Sequence, residues 1–317
     1  MTTLGFTAYS PSSSVYAASY VCLGSGDVWC SAIDASFWRT TPGGVATGNT
    51  TPGGTASFPV GIVEGPDGYI YIPSYAPGSY YAFLWQVDPT TLAVNPTSIG
   101  LGNGCGLTNC IVGPDGNIWG YDYRNGNLNR YNVYTQAVTT FAVLSTSQPQ
   151  LCSDGTYIWC GGGGYLHRID MSGTITSYYY SSDPSAWGIA PDGAGNFWIG
   201  GNGLRQVSSS GTLLATLTLP SGSQIVGGLV GPDGNPWFGD YENNNLYQVD
   251  SAASTYTTFT FRESGYSPPN TGGSSVLAGP GVLGADSNMW WIDGSHQNIV
   301  KCVINPTSSG NTIVRLL

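Results

Sequence analysis

Short apolar runs alternate with turn-forming residues along the whole chain, and no segment repeats its apolar positions with a helical period. In a typical unit, Ile111 and Val112 lead into Gly-Pro-Asp-Gly, and Ile118 and Trp119 resume an extended run. Proline presets φ, aspartate hydrogen-bonds its own backbone, and the second glycine supplies a positive φ. The pattern therefore predicts a β-hairpin.

This hairpin pattern occurs seven times, and an aromatic residue follows each turn at successive spacings of 42, 48, 40, 39, 39 and 53 residues. The seven aromatic landmarks are Trp29, Tyr71, Trp119, Trp159, Trp198, Trp237 and Trp290. A third alternating run, such as residues 128–132, and a fourth, such as 138–143, follow the hairpin. Four short strands repeated near every 40 residues are typical of propeller blades. We therefore predict an all-β, seven-bladed β-propeller with four-stranded antiparallel blades and landmark tryptophans buried between neighbouring blades.

The repeats occupy nearly the whole chain, so we predict a single β-propeller domain over residues 1–317. Two terminal segments, residues 3–9 and 311–317, are each placed to supply the fourth strand of the last blade. Only one is needed to close the ring, and both alternatives stay open. A Pro/Gly/Ser-rich insertion at about residues 262–281 predicts a surface loop.

Composition narrows the class of partner. Charged residues make up 8% of the chain, against roughly 25% in an ordinary soluble domain. The net charge is −10 and Lys301 is the only lysine, so we expect no nucleic-acid partner. We also expect no membrane insertion, because no apolar run is long enough to span a bilayer. The N-terminus lacks the basic start and apolar stretch of a secretory signal.

The seven cysteines favour disulfides over a metal site. Cys22 and Cys30 flank the hairpin turn of the first repeat, and Cys152 and Cys160 flank that of the fourth with the same spacing. If the turn lies midway, each pair faces across antiparallel strands at bridging distance. The expected disulfides are Cys22–Cys30, Cys152–Cys160 and Cys105–Cys110, with Cys302 left free. Buried free thiols are the alternative.

We expect no metal site and no cofactor. No Cys-x-x-Cys pair exists, and His167 and His296 are the only histidines. Disulfides without a secretory signal suit a protein that leaves the cell by lysis, such as a virion component, or a protein from an unusual intracellular environment.

The most distinctive parts of the repeat are the turn "GPDGNIW" and the strand "LNRYN" that follows it. The repeat resembles the streptogramin B lyase (virginiamycin B lyase) family of seven-bladed propellers, which is built on a GPDGN-[LI]-W-F turn followed by a strand close to "IGRIDP". The best local matches cover residues 111–119 and 229–239. The resemblance implies the propeller fold and, as an activity, a metal-assisted elimination that opens a cyclic depsipeptide lactone.

The family places histidines and a glutamate near the propeller axis. The positions here that match the histidine carry Val60, Trp187 and Gly227, and the positions that loosely match the glutamate carry Asp122, Asp240 and Asp293. His167 lies in a third strand, where we expect an outward, structural role, and His296 lies in a turn. We therefore assign no catalytic residue.

The second strands end in aromatic, acidic and amide side chains, and the loops between second and third strands of a propeller share one face. Aromatic rings stack on sugar faces, and carboxylates accept hydrogen bonds from hydroxyl groups. The predicted ligand-binding residues are Tyr75, Tyr121, Asp122, Tyr123, Asp240, Tyr241, Glu242 and Asp293. The alternative is that these residues only form turns and cover blade edges.

The sequence thus favours a non-enzymatic virion or extracellular protein with a structural or adhesion role, such as a phage tail or capsid-surface component. Its expected partners are host glycans, a protein surface or other virion proteins. The alternative is a lyase of the family that the repeat resembles, and fold alone does not decide between the two.

Overall fold

The computed structural model describes residues 2–9, 18–32, 35–51, 58–59, 61–75, 81–95, 99–103, 107–122, 125–143, 150–181, 187–260, 281–293 and 298–306. These residues form 29 β-strands and no helix. The strands make seven antiparallel sheets, so the seven-bladed all-β propeller is confirmed.

Blades are numbered here by the order of their inner strands along the chain. The first strand, β1 (Thr2–Tyr9), belongs to the seventh blade. Blade 1 contains β2 (Ala18–Gly24), β3 (Asp27–Ala32), β4 (Ser36–Thr40) and β5 (Ala46–Thr50). Blade 2 contains β6 (Phe58–Pro59), β7 (Val63–Glu64), β8 (Ile70–Tyr75), β9 (Tyr81–Val87) and β10 (Ile99–Asn103). Its inner edge is divided, since β6 and β7 both pair with β8.

Blades 3 to 7 follow the four-strand pattern. Blade 3 contains β11 (Thr108–Val112), β12 (Ile118–Asp122), β13 (Asn127–Tyr131) and β14 (Val138–Val143). Blade 4 contains β15 (Leu151–Ser153), β16 (Ile158–Gly162), β17 (Tyr165–Ile169) and β18 (Ile175–Tyr179). Blade 5 contains β19 (Gly188–Pro191), β20 (Asn196–Gly200), β21 (Leu204–Ser208) and β22 (Leu213–Leu217). Blade 6 contains β23 (Ile225–Val230), β24 (Pro236–Asp240), β25 (Asn245–Asp250) and β26 (Thr255–Thr260). Blade 7 contains β27 (Val282–Leu283), β28 (Met289–Asp293), β29 (Asn298–Pro306) and β1.

The N-terminal segment closes the ring. Strand β1 pairs antiparallel with β29, in a register that runs from Thr2 opposite Pro306 to Tyr9 opposite Ile299. This pairing settles the alternative left by the sequence in favour of the N-terminal segment. Residues 311–317 and the predicted insertion at 262–280 lie outside the described residues. Within the described part, no helix is long and apolar enough to cross a bilayer.

The hydrophobic core is divided among the interfaces between neighbouring blades. Between blades 6 and 7, for example, Trp237 and Leu246 pack against Met289, Trp291 and Val300. Equivalent clusters fill the other six interfaces. All seven landmark aromatics are at most 2% exposed, and each packs toward the following blade, as predicted.

The repeated Gly-Pro-Asp-Gly turn has a structural explanation. A Cβ on Gly113 would lie 2.6 Å from the Trp119 indole, so only glycine leaves room for the ring. Asp115 Oδ1 accepts a hydrogen bond from Trp119 Nε1 at 2.9 Å, and Gly116 has φ of +70°. The motif thus makes a tight turn and also fixes the tryptophan that packs between blades.

In several blades a polar residue of the third strand contacts the carboxylate of the turn. Every landmark aromatic lies directly opposite an arginine, glutamine or lysine in the β-ladder. The pairs are Trp29–Arg39, Tyr71–Gln86, Trp119–Arg130, Trp159–Arg168, Trp198–Gln206, Trp237–Gln248 and Trp290–Lys301. In blade 7, Lys301 Nζ lies 2.7 Å from Asp286 Oδ2, and in blade 5 Gln206 Nε2 donates to Asp192 Oδ2 at 2.8 Å.

These turn carboxylates predict a loss of stability in acid. Burial raises the pKa of Asp286, but hydrogen bonds from Lys301, Trp290 and Asn288 outweigh it and hold the pKa below its ordinary value of 3.8. Asp192 shows the same balance. A depressed folded-state pKa stabilises the protein above the unfolded pKa, and this stabilisation is lost as the pH falls through the folded pKa. We expect the thermal unfolding midpoint to be nearly constant between about pH 7 and 5 and to fall below about pH 4.

Calorimetry across this pH range measures the effect, and Asp286→Asn, which has no carboxylate to protonate there, should show a shallower acid decline than the wild type. A midpoint that rises on acidification from about pH 5 to 3 would contradict the assignment.

The expected Cys22–Cys30 disulfide is absent, and both thiols are free. Cys22 lies opposite Trp29 and Cys30 lies opposite Val21, so the two cysteines are offset by one position. Adjacent positions of a strand point to opposite faces of the sheet. Cys22 therefore packs between blades 1 and 2, and Cys30 packs between blades 7 and 1.

The fourth repeat shows the same one-residue offset. Cys152 lies opposite Trp159 and Cys160 lies opposite Leu151, and both thiols are free, so this predicted disulfide is also wrong. Cys110 is free too, and its expected partner Cys105 lies outside the described residues. Cys302 is free as predicted. The alternative of buried free thiols is the one that the structure supports.

Thiol counting tests this correction. Unfolding in guanidinium without reductant is expected to expose at least six reactive thiols per chain, because six described cysteines are free. The native protein should react slowly, since burial raises the pKa of Cys30 and of Cys160 to about 12 and the thiolate is the reactive form. Titration with Ellman's reagent before and after unfolding gives both values. A count of three, which is the seven cysteines less four, would restore the two hairpin disulfides.

Candidate functional surface

Antiparallel order places the loops between second and third strands on the same face as the connections between blades. This surface is called the loop face here. The turns between first and second strands, which carry the repeated Asp–Trp pairs, lie on the opposite face. The predicted ligand-binding residues that the structure describes lie at or directly after the ends of second strands, and therefore at or near the loop face.

Asp240 ends the second strand of blade 6 and is fully buried. Its Oδ1 accepts hydrogen bonds from the backbone N–H groups of Gln224, Glu242 and Asn243 at 2.9, 3.2 and 3.3 Å. Its Oδ2 accepts from Tyr247 Oη at 2.8 Å and from Asn243 Nδ2 at 3.1 Å. The carboxylate therefore organises the loop from within rather than facing a ligand.

Blade 3 uses its acid in the same way. Asp122 is 2% exposed, and its Oδ2 accepts a hydrogen bond from Asn125 Nδ2 at 2.7 Å. Tyr121 is fully buried and packs in the cluster between blades 3 and 4. Burial raises the pKa of the Tyr121 hydroxyl to about 12. Tyr121, Asp122 and Asp240 thus lie inside the fold. Their burial agrees with the alternative that these residues form turns and cover blade edges.

The other predicted residues reach the surface to different degrees. Tyr75 and Tyr241 are partly exposed and Glu242 is exposed. Tyr241 is held by its backbone N–H, which donates to Gln224 O at 2.9 Å. The backbone of Asp293 ends β28, but its side chain lies outside the description, as does the whole of Tyr123.

An aromatic group on blade 4 was missed by the sequence reasoning. Tyr165 begins the third strand and Tyr179 lies directly opposite it on the fourth. Their rings meet edge to face with centroids 5.2 Å apart, and they are 39% and 58% exposed. The available signals were the run "SYYYSS" and a tyrosine directly after the Gly163–Gly164 turn. Neither signal lies at the end of a second strand, and only the cross-strand register brings the two rings together.

His167 lies beneath this pair, and its expected outward position is wrong. The ring is only 6% exposed, and Tyr165 stacks on it at a centroid distance of 5.9 Å. Nδ1 lies 2.8 Å from Ser177 Oγ, and Nε2 is buried with no hydrogen-bond partner. Burial lowers the pKa of His167, and the backbone of Gly162 offsets only part of the lowering. The imidazole is therefore neutral at pH 7.

A cavity of about 280 Å³ lies among the inner strands of blades 1, 2, 3, 4 and 7. Cys22, Cys110, Asn109 and Gln150 contribute its polar lining, and none of its lining residues is charged. The sequence reasoning did not single out Gln150. Its Oε1 accepts from Gly228 N at 2.8 Å, and its Nε2 donates to Gly228 O at 2.7 Å. Gln150 thus ties the start of blade 4 to the inner strand of blade 6.

The positions that match the family's histidines lie partly within the described chain. Gly227 is buried in the inner strand of blade 6, and Trp187 is partly buried just before the inner strand of blade 5. Val60 and His296 lie outside the described residues. Within the described part of the chain, no three His, Cys, Asp or Glu side chains converge on a position where they could hold a metal ion.

No protein-family model and no curated protein sequence matches the chain. The chain is similar in structure to a streptogramin B lyase, at 14% identity and a TM-score of 0.77, over 95% of this chain and 98% of the other. Virginiamycin B lyase from Staphylococcus aureus gives 14% identity and a TM-score of 0.76, over 95% and 99%. The WD40 repeats of RRP9 give 9% identity and a TM-score of 0.68, over 95% and 98%. At these identities the likeness shows the fold, a seven-bladed propeller of the kind found in streptogramin B lyases.

Proposed function

We propose that this protein is a non-enzymatic virion or extracellular component that uses the loop face as an adhesion or assembly surface. Its partners are glycans or other protein surfaces, such as those of a virion. The observation that carries the proposal is that acidic and aromatic side chains on this face have different roles. The carboxylates of Asp122 and Asp240 are occupied by internal hydrogen bonds, while tyrosines such as Tyr241 and Tyr179 reach the solvent.

The composition supports the same proposal. Tyrosine rings contribute large contact areas at low conformational cost, which suits a binding surface. The chain has 21 tyrosines and only 8 lysines and arginines, so few cationic side chains are available to attract an anionic ligand. Because the described cysteines are free thiols, disulfides do not support an extracellular location. The proposal therefore rests on the aromatic surface.

The structural likeness to streptogramin B lyases favours a second candidate, a C–O lyase that opens a cyclic depsipeptide lactone. Such an elimination requires a base and a group that stabilises charge on the leaving oxygen. In the described part of the loop face, Asp240 holds hydrogen bonds from the loop itself, and His167 lies beneath Tyr165. The adhesion proposal requires neither group to react.

Two assays separate the candidates. Mass spectrometry follows a streptogramin B lactone incubated with the protein and magnesium, and we expect no ring opening at catalytic ratios. Binding of the labelled protein to cell surfaces and to glycan arrays is expected, with weaker binding for Tyr241→Ala. Tyr134→Ala is the matched control, because Tyr134 is 70% exposed on the opposite face. Catalytic lactone opening would overturn the proposal.

A further inference from the structure

We propose that the blade 4 cluster of Tyr165, Tyr179 and His167 is a binding site for a neutral pyranose sugar. The inference rests on the proposed function, because it names the ligand class and the position of one site on the loop face. Glycan recognition at this position follows from four features, which are exposed aromatic rings, a rigid support, a buried nitrogen without a hydrogen-bond partner, and the location of the neighbouring Arg168 on the other face of the sheet.

The two tyrosine rings offer the aromatic surface. They are the partners of one cross-strand pair, and together they are more exposed than the tyrosines elsewhere in blade 4. A pyranose presents a face of C–H groups that packs on an aromatic ring, while its hydroxyl groups point sideways to polar partners. In an edge-to-face pair, a sugar can stack on one ring while the second ring contacts its side.

The support beneath the rings is fixed by the backbone. Tyr180 N and Ser181 N both donate to Gly164 O, at 2.9 and 3.2 Å, and so tie the end of β18 to the turn before β17. Gly163 and Gly164 have φ of +58° and +84°, a conformation that glycine adopts without strain. A site held in its binding shape loses less entropy when a ligand binds.

His167 supplies the polar contact. His167 is only 6% exposed, and its Nε2 has no hydrogen-bond partner. Buried polar atoms in proteins usually have one. Tyr165 stacks on the imidazole at a centroid distance of 5.9 Å, so Nε2 lies next to the aromatic surface that a sugar would contact. The histidine is held in place by Ser177, whose Oγ lies 2.8 Å from Nδ1.

The electrostatics favour a neutral sugar over a sialylated or sulfated one. The protein carries a net charge of −10. Arg168, the arginine next to His167, has its guanidinium over the Tyr157 ring, 4.8 Å from the centroid. Because adjacent strand residues point to opposite faces, this cation lies on the other side of the sheet from His167. An anionic sugar would therefore meet long-range repulsion that Arg168 does not offset.

The test measures binding of small sugars by saturation-transfer NMR. The probes are methyl glucoside, methyl galactoside, methyl mannoside and lactose, with sialyllactose as the charged match for lactose. Wild-type protein is expected to bind at least one neutral sugar and to bind sialyllactose more weakly. Tyr179→Ala and Tyr165→Ala should lower the affinity at least about tenfold, because each removes an aromatic contact. Tyr179→Phe keeps the ring and should stay within about threefold.

Controls separate this inference from the proposed function. Tyr134→Ala, which lies on the opposite face, should leave sugar binding unchanged. His167→Gln should weaken binding of every sugar that Tyr179→Ala weakens. Wild-type protein that binds none of the neutral sugars, or sugar binding that survives both alanine substitutions on blade 4, would overturn the inference. If cell-surface binding persisted in either case, the proposed function would stand and only this site would be lost.

Discussion

Replacing Trp237 with alanine is expected to lower the free energy of unfolding by about 3–5 kcal/mol. The indole is fully buried and packs against Met289 and Trp291 of the next blade, so its loss leaves a cavity in the interface between blades 6 and 7. The substitution also removes the donor that serves Asp233 Oδ1 at 3.0 Å. Urea unfolding followed by tryptophan fluorescence and by circular dichroism measures the change.

Two variants calibrate this result. Tyr134→Ala removes a large aromatic side chain that is 70% exposed, and it should change stability by no more than about 0.5 kcal/mol. Trp237→Phe keeps most of the packing and should cost less than the alanine variant. If Trp237→Ala and Tyr134→Ala unfolded at the same urea concentration, the landmark aromatics would not hold neighbouring blades together.

The repeat made the fold predictable from sequence. A turn signal followed by an aromatic at a period near 40 fixes the number of hairpins, and each hairpin needs a neighbour to bury its apolar face. Trp119 illustrates why this worked, since Gly113, Asp115 and the indole form one local unit. Interactions of this kind join residues that are close together in sequence, so a sequence pattern can predict them.

Features that depend on exact register were harder to predict. Cys22 and Cys30 would lie opposite each other if the hairpin turn were centred on residue 26. Gly24 pairs with Asp27 instead, so the turn is centred half a residue earlier and each cysteine lies opposite a different residue. In a strand, that shift changes the face on which a side chain lies. The same limit explains why either terminus was suited to close the ring, since strand pairing between distant segments leaves no local signal.

The burial of the candidate binding residues could not be predicted, because side-chain type does not reveal burial. Asp240 and Glu242 look alike in sequence, yet one is fully buried and the other is exposed. The difference arises from Gln224 and Tyr247, which approach Asp240 from a neighbouring connection and strand. The Tyr165–Tyr179 pair depends on a cross-strand register in the same way.

Asp240→Ala is expected to destabilise the protein by roughly 3–5 kcal/mol, because buried donors lose their acceptor. Those donors are Tyr247 Oη, the Asn243 side chain and the backbone N–H groups of Gln224, Glu242 and Asn243. Asp240→Asn should cost less, about 1–2 kcal/mol, because the amide oxygen still accepts from the backbone while its NH₂ group faces other donors. Chemical denaturation gives both values.

Glu242→Ala is the matched control for this series, since Glu242 lies two residues away and is exposed. It should change stability by no more than about 0.5 kcal/mol. The order Asp240→Ala, Asp240→Asn, Glu242→Ala, from most to least destabilising, identifies Asp240 as the residue that shapes the blade 6 loop. Equal stability of the Asp240→Ala and Glu242→Ala variants would mean that the loop does not need the carboxylate.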